Sequence, residues 1–243
     1  MNAPEFREAL LQVMETKIHW AWPFFGNGSV PVERLSLHLE QEYAVYVRDF
    51  AWLLGRAFAQ CPIVEVRKDL AENIFEEETG GLSLGIGHAE LFLRIPEGLG
   101  MDVSRFHDVT LVSGAKAYRD FLDDATTHRG WEIATAVTTL FLEGTKWDRG
   151  ELDPNFPKRP MPPLDQHPLA RNYGLSTDHL TLAQVHRDVE GGHRSSAWHI
   201  MEEHVPAERR RPVVAAMEEA LAFWKGYRDH VAEICGVERE LAA

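Results

Sequence analysis

The sequence predicts an all-α fold. Apolar residues recur with the 3.6-residue period of a helix along most of the chain, as in Leu35, Leu39 and Tyr43, and no persuasive alternating strand is present. Of the 243 residues, 44% are hydrophobic and 26% are charged, a globular composition with enough apolar residues for one sizeable core. We therefore predict one helical domain over residues 1–243.

The helices are predicted from apolar stripes together with start and stop signals. Pro4 starts the first helix, Pro62 ends the second, and Gly80 with Gly81 ends the third. The predicted spans are 4–18, 31–61, 63–78, 88–93, 113–128, 131–147, 178–204 and 206–235. The span 31–61 is predicted as one long helix, with a kink as the alternative. Ser113 is the predicted cap of the helix 113–128. Six prolines in residues 148–175 predict a long ordered loop or a lid.

Composition also narrows the classes of partner. A net charge of -13 argues against nucleic acid, because phosphate binding depends on clustered lysine and arginine. No apolar run approaches the roughly 18 residues that span a bilayer, and no secretory signal is visible, so a cytoplasmic protein without membrane association is expected. Cys61 and Cys235, far apart in sequence, form neither a disulfide framework nor a thiolate metal motif.

The densest group of metal-ligand side chains is His186-Arg-Asp-Val-Glu190-Gly-Gly-His193. Steps of four and three residues place His186, Glu190 and His193 on one stripe of a helix. Imidazole and carboxylate without thiolate suit iron(II), manganese or zinc in a site open to exogenous ligands. The alternative is a solvated polar helix face.

Two glycines lie inside the same helical pattern. Gly191 and Gly192 each cost about 1 kcal/mol relative to alanine. This cost predicts a compensating feature, either the close approach of a neighbouring helix or a local bulge that re-aims His193.

Glu143 interrupts an unusually apolar helix. An ionised acid inside such a stretch needs a cation or a strong donor, so Glu143 is a candidate metal ligand. A salt bridge to Lys146 or Lys17 at the polar edge of the helix is the alternative.

Glu77 and His88 are the remaining candidates. They are eleven residues apart, close to three helical turns, and are able to face one point across the Gly80-Gly81 break. Glu78 is an alternative to Glu77, and a solvated acidic helix end is the other interpretation.

Together these residues resemble the ligand set of the haem-oxygenase-like di-iron oxidases and oxygenases. The resemblance covers most of the chain, from the Cys61-Pro62 break through Asn-Ile-Phe-Glu-Glu, His88 and Glu143 to the late His-x3-Glu-x2-His motif. The family commonly has aspartate where this chain has Glu190, a change that preserves the carboxylate. The resemblance implies a seven-to-eight-helix bundle related to haem oxygenase, thiaminase II (TenA), pyrroloquinoline-quinone synthase and the chlamydial death-domain-associating protein.

The chemistry implied by the resemblance is oxygen activation at two iron ions. The implied ligands, which are also the implied catalytic residues, are Glu77, His88, Glu143, His186, Glu190 and His193. Two Fe(II) ions would reduce dioxygen, the co-substrate, through a peroxo-diferric species that attacks a small metabolite such as an amino acid, an amine or a fatty acid. An external electron donor and a homodimer are both compatible with such a protein.

Three other functions remain as alternatives. A metal-free enzyme of the TenA or quinone-synthase kind would bind a planar heterocycle, and TenA-like members use a cysteine nucleophile, for which neither cysteine has an activating base nearby in sequence. A p-aminobenzoate-synthase-like member would need a sacrificial tyrosine near residue 20, where this chain has Trp20 and Trp22, although Tyr43 and Tyr46 follow on the next helix. The third alternative is a non-enzymatic regulatory protein.

Two further features have competing interpretations. The first is a group of aromatic residues that comprises Trp20, Trp22, Phe24 and Phe25. This group is predicted either to line a substrate pocket or to staple the first helix to the second. Arg48 and Lys146 are each able to bind a substrate carboxylate or to neutralise a neighbouring acid.

Overall fold

The structure, a computed structural model, describes residues 1–153, 155–157 and 161–239, except for the side chains of residues 188–191 and 193. The described part is helical and contains no strand, which confirms the all-α prediction. Its α-helices are α1 (Ala3–Glu15), α2 (Val32–Glu42), α3 (Phe50–Gln60), α4 (Val64–Thr79), α5 (His88–Gly98), α6 (Ser113–His128), α7 (Trp131–Thr135), α8 (Asp148–Glu151), α9 (Pro168–Tyr173), α10 (Thr181–His204) and α11 (Ala207–Ile234). No described helix is long and apolar enough to cross a membrane.

Two helices change into π-helix at their carboxyl ends. Tyr43–Val47 continues α2, and Ala136–Leu142 continues α7. Short 3₁₀ turns occupy Trp22–Phe25, Val103–Phe106, Leu164–Gln166 and Thr177–His179. Single-turn π segments are rare and frequently accompany functional sites, since the wider turn re-aims the side chains around it.

Several predicted boundaries are wrong. Residues 31–61 do not form one continuous helix, because a turn at Arg48 and Asp49 separates the π segment after α2 from α3, which agrees with the predicted alternative of a kink. Ser113 is the first helical residue of α6 rather than its cap, which is Val112. The helix predicted to end near Leu93 runs on to Gly98 and tolerates Pro96 in its last turn.

The proline-rich stretch is also more regular than predicted. The helix with Glu143 ends at Leu142, and residues 148–175 include α8 and α9 rather than a loop alone. Proline is well tolerated in a first helical turn, and Pro168 occupies that position in α9. This stretch covers one side of the bundle.

The core is one contiguous cluster to which all the long helices contribute, from Phe6 in α1 to Val231 in α11. Helix α11 packs against α1, α2 and α6, and α3 packs against α4, α6 and α7. Helices α6 and α11 approach closely at Gly114, where a Cβ atom would lie 2.7 Å from the Gly226 carbonyl oxygen. Glycine is therefore required there by the contact between helices.

A left-handed glycine reverses the chain between α4 and α5. Gly80 caps α4 with φ 62° and ψ 25°, a conformation that costs glycine little and other residues more. The predicted stop signal is confirmed. The reversal folds α5 back beside α4, which is what brings the start of one helix to the end of the other.

Candidate metal centre

Four of the six predicted ligands line one cavity inside the bundle. The cavity has a volume of about 680 Å³, and Glu77, His88, Glu143 and His186 reach its wall from α4, α5, the end of the α7 π segment and α10. Most of its other lining residues are apolar or aromatic, among them Leu39, Phe50 and Phe92. These four side chains therefore share the wall of one cavity.

His88 lies between two acids at the junction of α4 and α5. Its Nδ1 atom is 2.8 Å from Glu77 Oε1, and its Nε2 atom is 3.3 Å from Glu76 Oε1. Burial lowers the pKa of His88, but the two carboxylates outweigh it and the net shift is upward. Glu77 lines the cavity whereas Glu78 is exposed, so the structure brings Glu77 rather than Glu78 to His88.

Glu76, next to Glu77 in the sequence, also contacts His88 and was not predicted from the sequence. Its side chain is fully buried, accepts a hydrogen bond of 2.6 Å from the Leu82 amide and another from Ser83 Oγ, and contacts His88 through the same carboxylate. Burial raises the pKa of Glu76, and these donors more than reverse that effect, so the carboxyl is ionised at neutral pH. A carboxylate behind a ligating imidazole fixes its ring orientation and tautomer.

Glu143 follows the α7 π segment directly. Asn73 of α4, which is 4% exposed, donates from Nδ2 to Glu143 Oε1 at 2.6 Å. Lys17 Nζ donates to the carbonyls of Phe141, Leu142 at 3.2 Å and Gly144 at 2.9 Å. The ammonium therefore satisfies the carbonyl groups at the helix end from which Glu143 projects, a role that the sequence did not indicate.

Within the late His-x3-Glu-x2-His motif, His186 is the one ligand candidate whose side chain the structure describes. Its ring centroid lies 5.1 Å from that of His88, with the two planes at 59°. Helix α10 runs without a break through residues 186, 190 and 193, so the predicted helix is confirmed, while the side chains of Glu190 and His193 lie outside the described residues. Of the two features predicted to offset the glycines, a close approach is absent at Gly192, where no atom lies within 4 Å of the position that a Cβ would take, and Gly191 lies outside the described residues.

Among the side chains that the structure describes, no three of His, Cys, Asp or Glu are placed to share one ion. This statement does not cover Glu190 and His193, whose side chains lie outside the described residues. Glu77 pairs with His88. The donor set is nevertheless one that suits iron, since it offers imidazole nitrogen and carboxylate oxygen with no thiolate.

A second polar cluster on the same cavity also escaped the sequence analysis. Glu42 Oε1 accepts hydrogen bonds from Tyr46 Oη and, at 2.8 Å, from Arg228 of α11, and Glu42 Oε2 lies 3.3 Å from His38 Nε2. Glu42, Tyr46 and His38 line the cavity, and Arg228 is 2% exposed behind them. The spacing of 38, 42 and 46 along one helix face was visible in the sequence, but the buried arginine that supports it comes from the far end of the chain.

The side chains of the aromatic turn are divided between the cavity and the core. Trp22 and Phe25 line the cavity, while Trp20 and Phe24 pack against the core. Arg48 pairs with Asp49 at 2.9 Å, and Lys146 is exposed with its ammonium 4.7 Å from the Trp147 ring centroid.

Both cysteines are poor nucleophiles. Cys61 is 4% exposed and Cys235 is 3% exposed. Burial raises the pKa of both thiols, that of Cys235 to about 11, so neither is a thiolate at neutral pH.

Comparison with known proteins identifies the family. The family model described as iron-containing redox enzyme matches residues 37–225, which is most of the chain. The chain belongs to this family. The match includes all six predicted ligands, and the fold of the chain is haem-oxygenase-like, as the resemblance implied.

Solved structures support the same fold. A TenA homologue from Pseudomonas syringae pv. tomato strain DC3000 is similar, with a TM-score of 0.71 and 12% identity over 96% of each chain. At that identity the likeness concerns the fold alone. A search of curated protein sequences found no significant match.

Proposed function

We propose that this protein is a non-haem di-iron oxidase or oxygenase that activates dioxygen to modify a small metabolite. The observation that carries the proposal is the convergence of Glu77, His88, Glu143 and His186 from four parts of the bundle on one largely apolar cavity. Membership of an iron-containing redox family supports it. Glu190 and His193, on the same helix as His186, would complete the ligand set.

The chain's own residues fit two iron ions. Three carboxylates and three imidazoles would balance most of the charge of two ferrous ions, and carboxylates are able to bridge. Ferrous iron would supply electrons and open coordination positions for dioxygen. Glu76 would hold the His88 ring, and Asn73 would hold the Glu143 carboxylate, through contacts already made in the fold.

The cavity has the properties that such chemistry needs. Its apolar walls exclude water from the reacting groups and accommodate the body of a substrate. His167, Pro168 and Leu169 line it from the proline-rich segment, which therefore closes one side of the site.

The alternatives receive less support. A metal-free enzyme of the TenA kind rests on fold likeness, and the buried cysteines with raised pKa values provide no activated nucleophile. For a p-aminobenzoate-synthase-like protein, Tyr46 lines the cavity, but its hydroxyl group is hydrogen-bonded to Glu42 and Arg228. A non-enzymatic regulatory role would leave the convergence of the four side chains without a purpose.

The proposal is tested by anaerobic Fe(II) titration followed by exposure to oxygen under stopped-flow absorbance. We expect two ions per chain and a transient visible band, both reduced or lost in His186→Ala and Glu143→Ala. The matched controls are His128→Ala and Glu78→Ala, because both residues are exposed and lie off the cavity.

Absence of stoichiometric iron binding in the wild type would contradict the proposal and favour the metal-free enzymes. Equal binding by the ligand variants and their controls would remove the assigned residues from the site. Loss of binding in Glu77→Ala but not in Glu78→Ala would assign the ligand within the acidic run.

A further inference from the structure

A second and more polar cavity reaches Asn73, the residue that hydrogen-bonds to Glu143. It has a volume of about 240 Å³ and lies between α4, the π segment after α7 and α10. Among the described residues, none lines both this cavity and the larger one that holds the candidate ligands. Asn73 lines the small cavity and Glu143 lines the large one, so the two spaces meet at the 2.6 Å hydrogen bond between these side chains.

The small cavity continues outwards to the protein surface. A neighbouring cleft of about 440 Å³ is lined by exposed residues of both helices, such as Glu65 of α4 and His199 of α10. Asp69 and Ser196 line the cavity and the cleft alike, so the two spaces form one passage. This passage, the α4–α10 cleft, runs from Glu65 and His199 through Asp69 and Ser196 to the buried Asn73, and its inner part has room for several water molecules.

The α4–α10 cleft is acidic. Its described lining residues include three carboxylates, those of Glu65, Asp69 and Glu72, against the single ammonium group of Lys68. Burial raises the pKa of Asp69 and the nearby Glu72 raises it further, although two histidines at the outer end oppose this rise. A cation beside Asp69 and Glu72 would relieve their mutual repulsion. The cleft therefore concentrates cations near its walls.

The inner end of the cleft has an open acceptor. Asn73 is 4% exposed, and its Oδ1 atom has no hydrogen-bond partner among the residues that the structure describes. A carboxylate only accepts hydrogen bonds, so the amide has to direct Nδ2 towards Glu143, and Oδ1 is left as the acceptor. A buried carbonyl oxygen without a donor is costly unless water or a cation reaches it.

The cleft has the features of a passage rather than of a resting site. Across the described side chains, no three of His, Cys, Asp or Glu are placed to hold one ion together. A passage has to bind an ion well enough to admit it and weakly enough to release it, which successive single carboxylates achieve. The larger cavity is less suitable as a route, because its largely apolar walls do not replace the water that a divalent ion would lose.

We propose that the α4–α10 cleft is the route by which Fe(II) enters the metal centre. Asp69 and Glu72 are transient partners of the ion, and Asn73 Oδ1 is the last acceptor before Glu143. Water ligands of the ion exchange for these oxygen atoms, and no electron is transferred. Iron and substrate then enter through different cavities. This inference rests on the proposed function, because it assumes that iron binds at the ligands of the larger cavity.

The rate of iron uptake tests the charges of the route. Anaerobic stopped-flow mixing with Fe(II), followed by tryptophan fluorescence, gives the rate constant, and equilibrium titration gives the dissociation constant. We expect the double variant Asp69→Asn/Glu72→Gln to take up Fe(II) about tenfold more slowly than the wild type, with a weaker dependence on ionic strength. Its dissociation constant should stay within about twofold of the wild-type value, because neither carboxylate is a ligand at the end point.

The matched control removes the same charge elsewhere. Glu78→Gln/Glu90→Gln changes two exposed carboxylates that line neither the cleft nor the larger cavity. Its uptake rate should lie within about twofold of the wild-type rate, since only the net charge has changed.

Two filling variants separate the possible routes by shape. Ser196→Phe narrows the α4–α10 cleft and should slow uptake by at least about tenfold. Leu169→Trp fills part of the larger cavity from α9 and should leave the uptake rate within about twofold of the wild-type rate.

Equal uptake rates in Asp69→Asn/Glu72→Gln and its control would overturn the inference. Slower uptake by Leu169→Trp than by Ser196→Phe would also overturn it and make the larger cavity the entrance. A weaker equilibrium affinity in the double charge variant would place its two carboxylates in the final site instead of on a route. If the wild type binds no Fe(II), the proposed function fails and the route fails with it, whereas iron binding at a rate that the charge changes do not affect removes the route alone.

Discussion

Protonation of the buried His38 ring opposes folding. Burial lowers its pKa from an ordinary value of 6.5 to about 4, with Arg228 opposing and Glu42 favouring the charged form. Because the folded pKa is the lower one, the neutral ring stabilises the fold above pH 6.5, and that contribution is lost as the pH falls through 4. The pKa of Glu42 is lowered from an ordinary value of 4.5 to about 2, so its contribution is also lost on acidification, as the pH falls from about 4.5 through 2.

We expect the lowered pKa of His38 to reduce the unfolding free energy of the wild type by about 3 kcal/mol when the pH falls from 7 to 4. Urea unfolding of the iron-free wild type and His38→Gln at both pH values measures this reduction. The unfolding free energy of the variant should fall by about 3 kcal/mol less than that of the wild type. Equal losses in the two proteins would show that His38 does not carry the acid sensitivity.

Glu76 is predicted to tune metal affinity without contacting metal. Its hydrogen-bonded carboxylate holds the His88 ring, so Glu76→Gln should lower Fe(II) affinity by about tenfold, at the weaker end of the effects known for such supporting groups. Glu78→Gln, an exposed change two residues away, should leave the affinity unchanged. Competitive titration with a chelator gives both numbers, and unchanged affinity in Glu76→Gln would assign Glu76 a purely structural role.

At the scale of the element, the end of α7 illustrates why the site needs support from elsewhere. The π segment leaves carbonyl groups without helical partners, and an unsatisfied carbonyl inside a protein costs about 1–3 kcal/mol. Lys17, in the segment after α1, donates to two of them, those of Phe141 and Leu142, and to the Gly144 carbonyl just beyond. Glu143 therefore owes its position to a residue that is distant in sequence.

Lys17→Met keeps most of the side-chain volume and removes the donors. It should lower the free energy of unfolding by about 1–3 kcal/mol. Lys146→Met, at an exposed lysine nearby, should change it by less than about 0.5 kcal/mol. Denaturant unfolding of the wild type and the two variants measures these changes. A Lys17→Met protein as stable as Lys146→Met would contradict the role of Lys17 in satisfying the carbonyl groups.

At the scale of the whole molecule, iron binding should be linked to folding. The ligands come from helices that are far apart in sequence, so an unfolded chain cannot gather them, and metal binds the native state preferentially. Saturation at about 100 times the dissociation constant adds about 2.7 kcal/mol for one site. For a chain of this size that corresponds to a rise in Tm of roughly 5–10 °C.

Differential scanning calorimetry under anaerobic conditions measures this rise. Glu143→Gln, which keeps the shape of the side chain and loses its charge, should show a smaller rise than the wild type. A rise of equal size in both proteins would indicate that the ion stabilises the fold from another place.

Local sequence patterns predicted much of the secondary structure of this protein. The 3.6-residue period predicted the long helices because the burial of one helix face depends on nearby residues. The same logic placed His186, Glu190 and His193 on one helix, and the glycine stop after α4 left Glu77 and His88 able to meet.

Tertiary structure decided what the cavity contains. It selected Glu77 over Glu78 for the cavity wall, placed Glu76 behind His88, and buried Arg228 of α11 against Glu42 of α2. It also ended α7 at Leu142 in a π segment where the sequence predicts a helix to Trp147. None of these follows from local sequence, because desolvation and hydrogen bonding between helices depend on which surfaces meet after the chain has folded.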